Sequence, residues 1–532
     1  MIFQLATILV AATSLGPTRA ISPGQRGLLL LIPEHAAGAV YVRRLGAELD
    51  SPPARWLTDR VLGDWSFAAP LMAAAGQLQC PGLAVLLSKP KSDEKLRLLV
   101  AVDLANSNQQ PEQFINQQLL PQLRRSTTGA AKLSKDGLLG QVSIEGWSDV
   151  LHWTKRGARL LLSTDRELLS GLQAGRWPSK KLLLTAGWAG LAEGLTPETE
   201  LWMYADLPQL YHLAGPITAR DPFLQRLYWL IGVENFRAAT LQVRRGEKAT
   251  ALRVICRFAD PDKGVMRLAA GPNTVSRAVD LLGPESPVVL RMSLSDLREG
   301  IGALNSLIEQ LDPEIVKEFE TERAAFKTDI GFDPLDDLAG KIREEIVVAL
   351  VPLDEGGRGV VLIAGLADES DFADHMAALS RYFDIDWRQR KLHDFTIYTP
   401  EQDQGGFAYA TGRGRLVIAR DPRAIESVLE PMTSSGPSSR RNRRGVSALL
   451  PVKNRCSVQL VWPEGISWLG RQVEHLVDLE LSGLAGRLKL DGRQVAGAIS
   501  VRDRTVTIDC VVGNETPDRP AGAPDGAGRA RP

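Results

Sequence analysis

Cysteine is scarce in this chain: Cys80, Cys256, Cys456 and Cys510 are the only four in 532 residues, and they form no CxxC pair. No histidine stands near them at metal-ligand spacing, so neither a zinc site nor a small disulfide scaffold is signalled. Buried thiols are the default reading. If the chain is exported, Cys456 and Cys510 are the preferred pair for one bridge, because both lie in apolar runs of the same C-terminal segment. Histidine is also sparse, at six, and no two share a local element. Net charge is absent, since 63 Lys and Arg balance 63 Asp and Glu, and that removes the field a nucleic-acid partner requires. The one dense basic cluster, Arg440, Arg441, Arg443 and Arg444, follows a Ser, Gly and Pro stretch and reads as a solvated loop.

The catalytic signatures are missing as well. The chain holds no G-x-S-x-G, H-E-x-x-H, phosphate-binding loop, dinucleotide fingerprint or EF-hand loop. The sequence therefore yields no catalytic, cofactor-binding or metal-ligating residue, and no cofactor. Beyond the N-terminus no run reaches the roughly 18 apolar residues of a membrane span, so none is expected in the mature chain.

What is present is an ordinary globular composition, 44% hydrophobic and 24% charged, in a chain too long for one core of about 250–300 residues. Residues 2–15, IFQLATILVAATSL, have the length of a signal-peptide core and lead to Ala20, so residues 1–20 read as a signal peptide, or a retained anchor, although no basic residue precedes the run. That places the protein outside the cytoplasm: periplasm, cell surface or exterior. Residues 513–532, rich in Gly, Pro, Ala and Arg, read as a disordered tail.

Between these ends the sequence repeats weakly. Arg159-Leu-Leu-Leu-Ser-Thr-Asp165 matches Arg415-Leu-Val-Ile-Ala-Arg-Asp421, each a strand running into a helix with Asp165 or Asp421 at the cap. Upstream, LAVLL and LRLLVAVDL match IVVAL and GVVLIAGL as hairpins, and a helix follows each. Leu297, Ile301, Leu304, Ile308 and Leu311 hold one helical stripe, and Pro313 breaks it before a further helix through Phe319 and Phe326. Each copy closes on alternating strands with one wet face, such as Leu241 and Val243 before Leu252, Val254 and Cys256. The expected fold is α+β and internally duplicated, residues 27–260 and 284–512, with antiparallel sheets and helices packed mainly on one face.

The acid-rich run Asp329 to Leu338 fails EF-hand spacing, and Asp333 before Pro334 reads as a helix cap. Phe223, Leu227, Trp229 and Leu230 form an apolar arc wider than a helix on a small sheet needs, and are the candidate surface for an apolar partner.

The opening Ile32-Pro33-Glu34 through Val40-Tyr41-Val42, the run Ile330-Gly-Phe-Asp-Pro-Leu-Asp-Asp-Leu-Ala-Gly340 into Glu345-Ile-Val-Val348, and the repeat resemble an uncharacterised family of exported bacterial proteins with a domain of unknown function of the 3352 type. The resemblance implies export and a tandem α+β build, and carries over no functional residue. The reading that results is a non-catalytic envelope scaffold for a protein, lipid or other apolar ligand. The alternative is a hydrolase with its site in the cleft between the repeats.

Overall fold

The computed structural model describes, with short interruptions, residues 28–43, 81–87, 97–104, 110–176, 199–209, 235–260, 272–353, 357–430, 456–461 and 494–513, together with Ala74. The chain divides into two compact units, residues 1–225 with 234–259 and residues 226–233 with 260–532. The N-terminal apolar stretch, the Arg440 to Arg444 loop and the chain beyond Gly513 lie outside the described residues.

Unit 1 is built on short, apolar, β-branched or leucine-rich runs that pair antiparallel throughout. Its elements are β1 (Ala36–Val42), β2 (Gly82–Leu87), β3 (Arg97–Asp103), a helix α1 made of Pro111–Phe114, a π turn Ile115–Leu119 and Leu120–Ser126, then β4 (Ala131–Asp136), β5 (Leu139–Ile144), β6 (Leu151–Arg156) and β7 (Arg159–Ser163). The helix α2 (Arg166–Gln173) and strands β8 (Thr199–Asp206), β9 (Phe236–Arg245) and β10 (Ala249–Phe258) complete it. Within the unit the strands lie side by side as β10-β9-β8-β1-β2-β3-β7-β6-β5-β4.

Alternation along these strands sorts side chains onto two faces, and both are dry. Tyr41, Leu83, Val85, Leu99, Ala101 and Leu161 share one face with Leu168, Leu169 and Leu172 of α2. Val42, Val102, Leu160 and Leu162 share the other with Phe114, Ile115, Leu119 and Leu123 of α1. Each fully buried Leu or Ile contributes roughly 1.5–3 kcal/mol, enough to anchor an eight-residue helix that would not persist alone.

Unit 2 contains β11 (Val288–Leu294), α3 (Leu297–Leu311), α4 (Pro313–Ile330), a π turn (Pro334–Leu338), β12 (Ile342–Pro352), β13 (Arg358–Leu366), α5 (Glu369–Tyr382), β14 (Trp387–Leu392), β15 (Phe395–Pro400) and β16 (Ala408–Gly412). It continues through β17 (Arg415–Ala419), α6 (Pro422–Leu429), β18 (Cys456–Val461), β19 (Gln494–Arg502) and β20 (Thr505–Gly513). Its own strands run β20-β19-β18-β11-β12-β13-β17-β16-β15-β14. Here too both faces are covered. Val347, Ala349, Val361, Ile363, Val417 and Ala419 pack on Ala424, Ile425, Val428 and Leu429 of α6. Ala364, Leu366, Tyr409 and Leu416 pack on Phe372 and Met376 of α5. Helix α6 approaches closely because Gly359 has no side chain: a Cβ there would stand 2.6 Å from that of Ala424.

These observations correct the expected class of duplicated α+β sheets with helices mainly on one face. Among the described residues strand outweighs helix, 51% against 32%, so the architecture is carried by antiparallel sheet, with helices as covers. Those covers sit on opposite faces, since α2 and α1, like α6 and α5, meet side chains of opposite parity. The cue was the unbroken apolar run in LLVAV (residues 98–102) and IVVAL (residues 346–350), which marks strands buried on both sides, whereas the half-wet alternation belongs to the outer strands.

Candidate functional site

The most concentrated buried chemistry lies in unit 2, where an irregularity in β12 presents an acid to two arginines. Pairing of β12 with β13 slips between Arg343 and Ile346, and Glu344 takes a left-handed conformation at φ 67°. Gly365 across the slip has no Cβ to strike the Arg343 carbonyl, which is what lets the strand bulge there. Glu345 is thereby turned inward. Its Oε2 accepts from Arg291 Nε at 3.0 Å and from Ser276 Oγ at 2.7 Å, and its Oε1 accepts from Arg415 Nη1 at 3.3 Å. Side-chain exposure is 1% for Arg291, 3% for Glu345 and 10% for Arg415. Arg291 Nη2 also donates to Thr274 Oγ1 at 2.6 Å, and Ser293 Oγ donates to the Pro272 carbonyl at 2.6 Å.

Both carboxylate oxygens of Glu345 are engaged and screened from water, so the group holds β11, β12, β17 and the 272–276 segment together and presents nothing to a substrate. Unit 1 places arginines at the matching points of its pairing order, Arg43 just after β1 and Arg159 at the start of β7. Arg43 donates to Glu200 at 3.1 Å, and Arg159 lies 3.7 Å from Asp103. The acids come from β8 and β3 rather than from β2.

The Asp329 to Leu338 run is a capping device, as its residue order suggested. Asp333 Oδ1 accepts from the amides of Leu335 and Asp336, and Asp337 Oδ2 accepts from the Asp333 amide at 2.7 Å. Arg323 of α4 reaches the same carboxylate with Nε at 3.0 Å and Nη2 at 2.9 Å. Burial pushes the Asp333 carboxyl up, but the Arg323 guanidinium and the two amides outweigh it and hold it at about 2. The turn it caps is a π turn, which the residue order did not announce. Among the described residues no three His, Cys, Asp or Glu side chains converge as metal ligands.

Unit 2 also carries an outward apolar surface. Helix α4 buries none of its side chains, although Ile315, Phe319 and Phe326 follow one another at helical spacing. The Phe326 ring meets Tyr382 at 5.4 Å and Phe383 at 6.0 Å, and Tyr382 and Phe383 meet at 5.0 Å. Ile315, Phe319, Tyr382 and Phe383 are each 39% to 54% exposed. Acids dominate the rest of α4: Glu314, Glu318, Glu320, Glu322 and Asp329 against Lys317, Arg323 and Lys327. The sequence places Phe319 and Phe326 on one helix and assigns that helix no surface; the mixed, heavily charged surroundings of the two rings are the signal of exposure.

A second aromatic group stands at the β14 end of the sheet. Tyr398 stacks on Tyr409 at 4.5 Å, Trp387 meets Tyr409 edge-on at 5.0 Å, and Phe407, 47% exposed, lies 6.3 Å from Trp387.

Of the residues singled out from sequence, Phe223, Leu227, Trp229 and Leu230 lie outside the described residues. The Cys456 to Cys510 bridge is corrected by register. Cys456 pairs with Ile499 and Cys510 with Gly497, so β19 runs between them. Two strand spacings are about 10 Å, beyond the roughly 7 Å between Cα atoms that a disulfide tolerates. Burial raises the thiols of Cys256 to about 12 and Cys510 to about 11, which leaves them unreactive. His152, His375 and His393 are described. His375 Nδ1 is 2.6 Å from the Asp371 carbonyl, and His393 sits exposed in the turn between β14 and β15.

No family model and no curated protein matches this chain. Among solved structures, three crystal forms of TP0453 are similar: forms III, IV and I, at 11%, 12% and 10% identity, covering 46%, 44% and 47% of this chain and 81%, 83% and 81% of theirs. The TM-scores are 0.25, 0.25 and 0.24, too low to carry an argument about fold or function.

Proposed function

We propose that the protein is an exported, non-catalytic binding scaffold of the bacterial envelope, which engages a protein partner through the aromatic surface of α4 and α5. The observation that carries this reading is the set of exposed apolar side chains Ile315 and Phe319 on α4, a helix that buries nothing, and Tyr382 and Phe383 at the end of α5, whose rings meet Phe326 of α4. Clustered exposed apolar side chains rimmed by charge are the mark of an interaction surface. The acidic rim selects among occupants: it repels an anionic bilayer and favours a protein face with a basic border. Export rests on the apolar stretch ahead of Ala20 and on the family resemblance.

The test is capture from an envelope extract by the wild type and by Phe319→Ser/Phe383→Ser. Both substitutions are on exposed side chains, so folding should be kept and the partner lost. A partner retained equally by both proteins sinks the reading, and binding to phosphatidylcholine vesicles in place of a protein transfers it to a lipid surface. N-terminal sequencing of the mature protein should begin at Ile21; Met1 recovered in the envelope fraction identifies a retained anchor, and Met1 recovered in the cytosolic fraction removes the export half.

A further inference from the structure

We propose that β14 is an open acceptor edge, to which an extended acidic peptide with alternating carboxylate and apolar side chains adds as a further strand of unit 2. Among the described residues β14 pairs on one side only, with β15, so alternate amides and carbonyls along its other side have no strand partner. An edge of this kind is a template for strand addition, in which main-chain bonds give affinity and alternate side chains give selectivity.

The side chains specify the occupant. Arg388, Gln389, Arg390 and Lys391 are all exposed, three of them cationic, and β14 contains no acid. Arg390 is paired with Glu426, whereas Arg388 and Lys391 make no ion pair with the described residues. Arg388 and Arg390 project to one face of the sheet and Trp387 to the other, where it meets Tyr409 and Phe407. A strand laid beside β14 therefore sets its acids against the two arginines and its apolar residues against the exposed Phe407 and Trp387 ledge. Six residues of edge span about 20 Å, so about six residues of peptide make the contact.

The competing account is that the cations only prevent edge-to-edge association of copies of the chain. Unit 1 supplies the control. Among the described residues its β4 holds the same place, pairs only with β5, exposes Lys132 and Lys135 and is bordered by no aromatic contact, and Asp136 offsets one charge.

The experiment uses the full chain and a labelled eight-residue peptide alternating Glu and Val. Binding at low salt should weaken as salt rises, amide exchange should slow within 387–392 and not within 131–136, and Arg388→Glu/Arg390→Glu should lower affinity at least about tenfold. The same peptide N-methylated at alternate residues should not bind, nor should a Lys-for-Glu version. No binding of the Glu-Val peptide, equal binding of its N-methylated form, or binding without slower exchange in 387–392 overturns the proposal and leaves a guarded edge. Because the aromatic surface of α4 and α5 is untouched by these substitutions, failure here does not bear on the proposed protein partner.

Discussion

Units 1 and 2 carry their strands in the same pairing order and cap the corresponding helix with Asp165 and Asp421, yet they neutralise their buried and half-buried arginines differently. In unit 2 one carboxylate, Glu345, serves both Arg291 and Arg415, whereas in unit 1 Arg43 and Arg159 have separate acids, Glu200 and Asp103. The pairing order follows from apolar side chains on both strand faces, which leaves little freedom of register. The acids are freer: burial demands that each arginine have a partner, not that the partner come from a given strand. Each unit accompanies this with an irregularity at an acid: β12 slips against β13 at Glu344 and Glu345, where one carboxylate is set between two arginines, and β8 slips against β9 at Glu200.

The sharpest way to break this comparison is to remove the shared acid. Glu345→Ala takes the carboxylate from two nearly water-free guanidiniums and should cost about 3–5 kcal/mol in urea unfolding. Glu200→Ala affects one guanidinium and should fall at or below the low end of that range. Equal losses would mean that Arg415 draws little from Glu345. Next in size is Asp333→Ala, which frees two amides and the two-point contact of Arg323, for about 2 kcal/mol. Because the Asp333 carboxyl titrates below its ordinary value, its contribution is complete above about pH 4 and disappears as pH falls through about 2. In Asp333→Asn that part of the acid limb of stability should flatten, a change readable from denaturation midpoints between those limits.

What the sequence disclosed was local. Asp165, Asp333 and Asp421 were legible as caps because a cap needs only its own residue and the next three, and hairpins were legible from their turns. Strand order was not, which is why Cys456 and Cys510, both in apolar runs, looked adjacent although β19 separates them. The Arg291, Glu345 and Arg415 network joins residues 54 and 70 positions apart, beyond any periodicity. Exposure of α4 escaped for a related reason: a helical stripe says which side chains travel together, not whether anything covers them.

A smaller contrast concerns the caps themselves. Asp165 accepts from two amides, those of Glu167 and Leu168, and also pairs with Arg97, which tethers the helix start to β3. Asp421 accepts from the single amide of Arg423 and pairs with that same residue's side chain, a contact that binds the helix only to itself. Asp165→Ala should therefore cost about 1–2 kcal/mol and Asp421→Ala about 0.5–1 kcal/mol. Equal values in thermal unfolding would remove the tether from the argument.

The finest distinction is one of pH, and it separates the units by ionisable group. His152 of β6 has its imidazole pulled below the ordinary value, by burial first and by Arg166 second, against a smaller opposing pull from Asp165. A histidine that is harder to protonate when folded than when unfolded stabilises the fold above the unfolded value, and that contribution is lost as pH drops below about 6.5. Asp333 acts through the same linkage but only near its much lower titration range, so mild acid should loosen unit 1 while unit 2 holds. Hydrogen exchange resolved by peptide at pH 7.5 and pH 5.5, corrected for intrinsic rates, should show faster opening in 139–163 at the lower pH and little change in 342–366. His152→Asn should erase the difference in unit 1, and persistence of faster opening in that variant would assign the sensitivity to another group.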